Sequence, residues 1–193
     1  MYGTFNNCRI IKEQRGGPME NIGKRISEKF PHILVVYFSK TGNTRKVAQQ
    51  IAKELGAEIE EIIDLKKRSG IWGFLTGGRD ALRRRETEIK EIKKDPSCYD
   101  LVIAGSPIWA GNIVPAVRSY LNRYKTSIKS LALFTTSGGA ISDQVFQEVR
   151  DLLGKELVSL TGICTEELKD DPVFMAKLSF FVEGIGQEKY TEK

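Results

Sequence analysis

Short apolar runs alternate with amphipathic stretches along most of this chain. Ile33-Leu34-Val35-Val36-Tyr37-Phe38 is continuous, apolar and rich in β-branched residues, the pattern of a strand covered on both faces. Behind it, Val47, Ala48, Ile51, Ala52 and Leu55 recur at helical spacing, which predicts an amphipathic helix. The succession returns twice. Leu101-Val102-Ile103-Ala104 precedes a helix carrying Val114, Val117, Tyr120 and Leu121, and Leu131-Ala132-Leu133-Phe134 precedes a helix from Ser142 to Leu153. Residues 58–63 and 157–163 supply two more strands, and Asp170-Asp171-Pro172 opens a closing helix that reaches Val182. Buried strands alternating with helices predict an α/β domain: a doubly wound, five-stranded parallel sheet in the order 2-1-3-4-5, with helices on both faces and right-handed crossovers. At 193 residues one domain is expected. Residues 1–31 read as an N-terminal extension, flexible except for a short helix from Glu20 to Phe30, with Met19 as an alternative start. Residues 32–193 form the domain, and 64–98 is an insertion between the second and third strands.

The segments that follow three of these strands carry the unusual residues. The first is Ser39-Lys40-Thr41-Gly42-Asn43-Thr44, the second Gly105-Ser106-Pro107-Ile108-Trp109-Ala110-Gly111-Asn112, the third Thr135-Thr136-Ser137-Gly138-Gly139. All three fall at the carboxyl ends of parallel-type strands, the edge where doubly wound sheets bind ligands. The first also opens a helix, whose unpaired N–H groups and positive dipole end suit an anion; its three hydroxyls and glycine let the backbone close around a phosphate monoester. Neither Gly-x-x-x-x-Gly-Lys-Ser/Thr nor Gly-x-Gly-x-x-Gly occurs, so this is neither a P-loop nor a dinucleotide fingerprint. Taken alone, the hexamer also fits an ordinary capped turn with Asn43 or Thr44 as N-cap.

This hexamer resembles the phosphate loop of the flavodoxin family, Ser/Thr-x-Thr-Gly-x-Thr, and the resemblance runs from about Ile33 to Glu183, loosely through 64–97. It implies a flavodoxin-like fold with FMN as cofactor. The 5′-phosphate would lie on Ser39, Lys40, Thr41, Gly42, Asn43 and Thr44. The isoalloxazine would lie between Ser106, Pro107, Ile108, Trp109, Ala110 and Gly111 of the second loop and Thr136, Ser137, Gly138 and Gly139 of the third. The Trp109 indole would pack on the ring, stacking being worth on the order of 1 kcal/mol beyond area burial; plain core packing is the other reading. For Gly111 the resemblance implies a peptide that answers protonation of the flavin N5, whereas glycine's freedom equally suits a helix-start turn.

Charge and cysteines narrow the picture. Residues 1–31 hold six Lys or Arg against three acids and residues 64–98 ten against six, so the net +5 is concentrated there. Arg83-Arg84-Arg85 sits beside Glu86 and Glu88 without interleaved aromatics, which reads as a solvated helix face and not as a nucleic-acid surface. Cys8, Cys98 and Cys164 are scattered, which argues against a disulfide framework or a cysteine-ligated cluster and for a reducing cytoplasm. The single histidine, His32, precedes the first strand, away from the loops, so no His-based catalysis or metal site is expected. No run has the length of a signal-peptide core or a membrane span.

Two departures from small electron carriers bear on function. Residues 135–140 offer only small side chains, so no aromatic covers the outer flavin face and hydride exchange with a stacked partner is open to it. The insertion contains Ile71-Trp72-Gly73-Phe74-Leu75-Thr76 between glycines, as in a lid or partner surface, or as a second helix capping the core. The expected function is an FMN-dependent oxidoreductase passing electrons from NAD(P)H or a reductase to a quinone-like or other small acceptor. The alternatives are an electron carrier that docks redox protein partners and a flavin-free interaction protein that retains the fold.

Overall fold

The computed structural model describes residues 19–66 and 78–187. Its strands are β1 (Ile33–Tyr37), β2 (Glu58–Glu61), β3 (Leu101–Trp109), β4 (Asn112–Ile113), β5 (Leu131–Ser137) and β6 (Leu160–Cys164). Five of them pair in parallel in the order β2-β1-β3-β5-β6, which is the expected 2-1-3-4-5 arrangement of a flavodoxin-like α/β fold. Period-two alternation divides their side chains between two cores. Leu34, Val36, Val102, Ala104, Leu131 and Leu133 pack against α3 (Pro115–Tyr124) and α4 (Gln144–Leu153). Ile33, Val35, Leu101, Ile103, Ala132 and Phe134 face α1 (Met19–Lys29), α2 (Asn43–Leu55) and α5 (Asp171–Gly186). Both faces of the central strands are therefore dry, which is why they read as unbroken apolar runs.

Several boundaries differ from the sequence expectation, each for a backbone reason. β3 continues five residues past Ala104, because Ser106 and Pro107 still pair with Thr135 and Thr136 of β5. Likewise β5 runs on to Ser137 beside Cys164. The loops expected after these two strands are thus partly strand. β4, unforeseen in the sequence, returns antiparallel on β3, with Ile108 opposite Ile113 and Trp109 opposite Asn112. α3 starts at Pro115, after Val114 in extended conformation at its N-cap; a proline at the first helical position gives up no helical hydrogen bond. β2 stops at Glu61, and β6 spans 160–164 in place of 157–163.

Residues 19–29, read from sequence as part of the extension, form α1, and its Ile22 and Ile26 are buried in the second core. Burying such a side chain is worth roughly 1.5–3 kcal/mol. At the opposite end of the sheet from the candidate loops, His32 donates its main-chain N–H to Asp100 Oδ2 at 3.0 Å and its ring Nδ1 lies 3.1 Å from the same oxygen. The N–H bond leads the effects that hold the Asp100 carboxyl below its usual range.

The insertion is stitched to the body on its return. Leu65 N–H donates to Glu88 O and Lys90 N–H to Ile63 O, both at 2.9 Å. Thr87 N–H donates to Ser119 Oγ (2.8 Å), and the Ser119 hydroxyl donates back to Thr87 O (2.7 Å). Asp80, only 1% exposed, meets Lys66 at 3.2 Å and Arg85 at 3.8 Å. Arg83-Arg84-Arg85 is exposed, as expected, but it forms a turn after a short helical stretch over 78–82 and not a helix face. The short helix ends at Leu82, Arg84 takes a left-handed φ of 51°, and its guanidinium lies 3.9 Å from the buried carboxylate of Glu148. The Ile71–Thr76 segment, with Trp72 and Phe74, lies outside the described residues.

Candidate functional site

The first loop is shaped by Gly42, the N-cap of α2, at φ 99° and ψ −18°, a left-handed conformation that glycine adopts without a Cβ clash. Gly42, and neither Asn43 nor Thr44, caps the helix, and it supplies no side-chain bond. Its N–H and that of Arg45 both donate to Ser39 Oγ, each at 3.2 Å. Amides at the start of α2 thus already converge on an oxygen, the arrangement a phosphate oxygen requires. The first turn of α2 contains no acidic residue.

Cations flank this loop, and the protein holds them in place. Arg45 donates through Nη2 to both Glu61 oxygens at 2.7 and 3.0 Å. The Tyr37 hydroxyl bonds the same carboxylate at 3.5 Å; burial, more than the neighbouring charges, raises that phenol. Lys46 turns away to Leu168 O at 2.9 Å and lies over the Phe174 ring. Lys40 lies over the Trp109 ring, 5.6 Å from its centroid. The loop therefore offers an anion chiefly amides, hydroxyls and the dipole of α2.

The second loop is a tight hairpin. Ala110 and Gly111, at φ 47° and 78°, form the two-residue connection between β3 and β4, and positive φ at both positions matches the right-handed twist of the strands. The hairpin places Trp109 at the carboxyl end of β3. Trp109 is 9% exposed and meets Phe38 edge-on, with ring centroids 5.8 Å apart and planes at 88°. Its core contacts and its place at the edge coexist. Ser106 is fully buried; its hydroxyl donates to Pro107 O (2.8 Å) and accepts from Val114 N–H (3.2 Å), so it braces the hairpin from below. Pro107 and Ile108 are half-buried.

In the third loop, Ser137 Oγ accepts from Gly139 N–H at 3.2 Å, while Gly138 and Gly139 are exposed, and a Cβ built on either would meet nothing within 4 Å. Thr136 reaches the first loop: its Oγ1 lies 2.8 Å from Thr44 Oγ1, and both residues are buried. Of the residues expected to act together, the fold thus joins Thr44 to Thr136 and Lys40 to Trp109. Sequence reasoning missed Phe38 as the neighbour of Trp109, the Tyr37, Arg45 and Glu61 cluster, and β4. The Ala110-Gly111 pair preceding Asn112 and Ile113 was the available signal for the hairpin.

Comparisons with known proteins agree with this geometry. The family model for NADPH-dependent FMN reductase matches residues 31–161, more than half of the chain. A flavoprotein from Lactobacillus acidophilus NCFM, solved in complex with FMN, superposes with a TM-score of 0.59 at 22% identity over 74% of this chain and 98% of its own. A putative flavoprotein from Bacteroides eggerthii gives 0.56 at 19% identity over 75% and 98%, and one from Bacteroides uniformis 0.55 at 20% over 73% and 97%; likeness at this identity speaks for the fold. No curated protein sequence matches significantly. No helix among the described residues is long and apolar enough to cross a membrane. From the matched residues together with the sheet order, the chain belongs to the NADPH-dependent FMN reductase family, a family of flavodoxin-like, FMN-binding flavoproteins.

Proposed function

We propose that this protein is an FMN-dependent oxidoreductase that takes electrons from NAD(P)H and passes them to a small, quinone-like acceptor without a protein partner. The FMN phosphate is held by Ser39, Thr41, Asn43 and Thr44 with the amides around Gly42, and the ring lies between the Trp109 hairpin and the third loop. Bound there, FMN supplies hydride and single-electron chemistry. The observation that carries the reading is the space over Gly138 and Gly139, which is open among the described residues. With no described residue within 4 Å of a Cβ built on either glycine, a flat nicotinamide or quinone can stack where an electron carrier would shield its flavin. On the opposite side, Phe38 meets Trp109 edge-on and Lys40 lies over the Trp109 ring, so the indole would pack on the flavin once Lys40 moves to the phosphate side.

A covering side chain tests this. NADPH-driven quinone reduction by the purified protein alone is expected, and Gly139→Tyr should slow it by about tenfold or more, a loss of roughly 1.4 kcal/mol in transition-state binding, while FMN stays bound. Turnover that requires an added reductase, and is indifferent to Gly139→Tyr, would instead identify an electron carrier. Protein that takes up no flavin at all would identify an interaction module.

A further inference from the structure

Thr136 lies near the end of β5, just before the third loop, and its side chain meets the first loop. Alternation along β5 puts Phe134 and Thr136 on the same face, and Phe134 belongs to the core beneath α2. The three hydroxyls at this strand end go three ways. Thr135 Oγ1 lies 3.5 Å from Thr161 O of β6, Ser137 accepts from Gly139 within its own loop, and Thr136 alone meets Thr44, in the first turn of α2. Thr136 is rigidly placed, because β5 is paired on both sides, with Pro107 of β3 and Ile163 of β6 in register with it.

We infer that Thr136 is a positioning residue for the phosphate of FMN, acting through the Thr44 hydroxyl. The inference rests on the proposed seat of the phosphate on residues 39–44. A hydroxyl carries one hydrogen and two acceptor sites, so two hydroxyls 2.8 Å apart share one hydrogen between them. A phosphate only accepts. When it meets Thr44, the Thr44 hydrogen turns to the anion and the hydrogen between the threonines has to come from Thr136. The chain then runs Thr136 to Thr44 to phosphate, each donor polarising the next. Without Thr136, Thr44 keeps its hydrogen but loses the partner that orients it in a buried site. The pair also ties the phosphate loop to the third loop, so the phosphate end of the ligand is sensed at the strand that leads to the Gly138-Gly139 edge.

The test measures dissociation constants for FMN and riboflavin by fluorescence on flavin-depleted, refilled protein. Thr136→Val should weaken FMN by about tenfold and leave riboflavin within about twofold, with Thr136→Ser restoring FMN binding. Thr44→Val should weaken FMN at least as much. Adding Thr136→Val to Thr44→Val should cost little more, since residues acting in series are non-additive. Riboflavin affinity also reports whether each variant keeps its fold. Equal losses for FMN and riboflavin in Thr136→Val would place its hydroxyl at the ring and overturn the inference, as would no loss for either ligand while Thr44→Val still discriminates between them. If Thr44→Val itself leaves the ratio of the two constants unchanged, the phosphate seat is wrong, and the inference falls with it.

Discussion

Ala110 sits at φ 47° in the hairpin that presents Trp109, beside Gly111 at 78°. A left-handed conformation costs an L-residue roughly 1–2 kcal/mol, and a non-glycine residue carrying that strain is held there by its surroundings. The Trp109–Asn112 and Ile108–Ile113 pairs fix the hairpin register, and Asn112 Nδ2 donates to Ala110 O at 3.0 Å. Ala110→Gly should therefore leave the melting temperature unchanged or raise it. The relief of strain is opposed by roughly 0.5–1 kcal/mol of added chain entropy. Ala110→Val, β-branched at the same φ, should lower it clearly. Equal losses in both variants, measured by thermal unfolding, would mean that the turn is not the source of strain.

Among the elements, α3 and α4 are joined by a charge cluster buried between them. Arg118 and Glu148, 5% and 7% exposed, form an ion pair, and Arg84 of the insertion approaches the same carboxylate. Burial, followed by the neighbouring Arg84, lowers the Arg118 guanidinium, with Glu86 acting the other way; Glu148 is the carboxylate in direct contact with it. Removing one partner of a buried pair costs about 3–5 kcal/mol, but the two halves are unequal here. Glu148→Leu leaves Arg118 buried beside Arg84, whereas Arg118→Met leaves Glu148 with Arg84 in reach. Chemical denaturation should find Glu148→Leu the more damaging, with the double variant less damaging than the sum. The reverse order would show that Arg84 does not serve Glu148. This cluster was not legible in the sequence, where Arg118 and Glu148 are polar residues on separate amphipathic helices and Arg84 belongs to a run that reads as solvated. The ends of β3 and β5 were hidden for a related reason: Ser106, Pro107, Thr135 and Thr136 break the apolar pattern, while main-chain pairing carries both strands onward.

For the molecule as a whole, strand order was legible because strands dry on both faces leave unbroken apolar runs, and three such runs ended in polar, glycine-bearing segments. Those segments meet at one edge of the sheet, with Thr44 against Thr136 and Lys40 over Trp109. What the sequence did not reveal is which side chains meet there, since Phe38 and Trp109 are 71 positions apart and only the β1–β3 register brings them together. In the function proposed above, this edge holds FMN by its phosphate on the first loop. Its most direct test is a calorimetric titration of wild type and the Thr41→Val/Thr44→Val variant with FMN and with riboflavin. Two lost hydrogen bonds to a charged group, each worth about 1.5–3 kcal/mol, should weaken FMN by at least about 100-fold and leave riboflavin nearly unchanged. Equal weakening of both ligands, or of neither, would mean that the phosphate does not sit on the first loop.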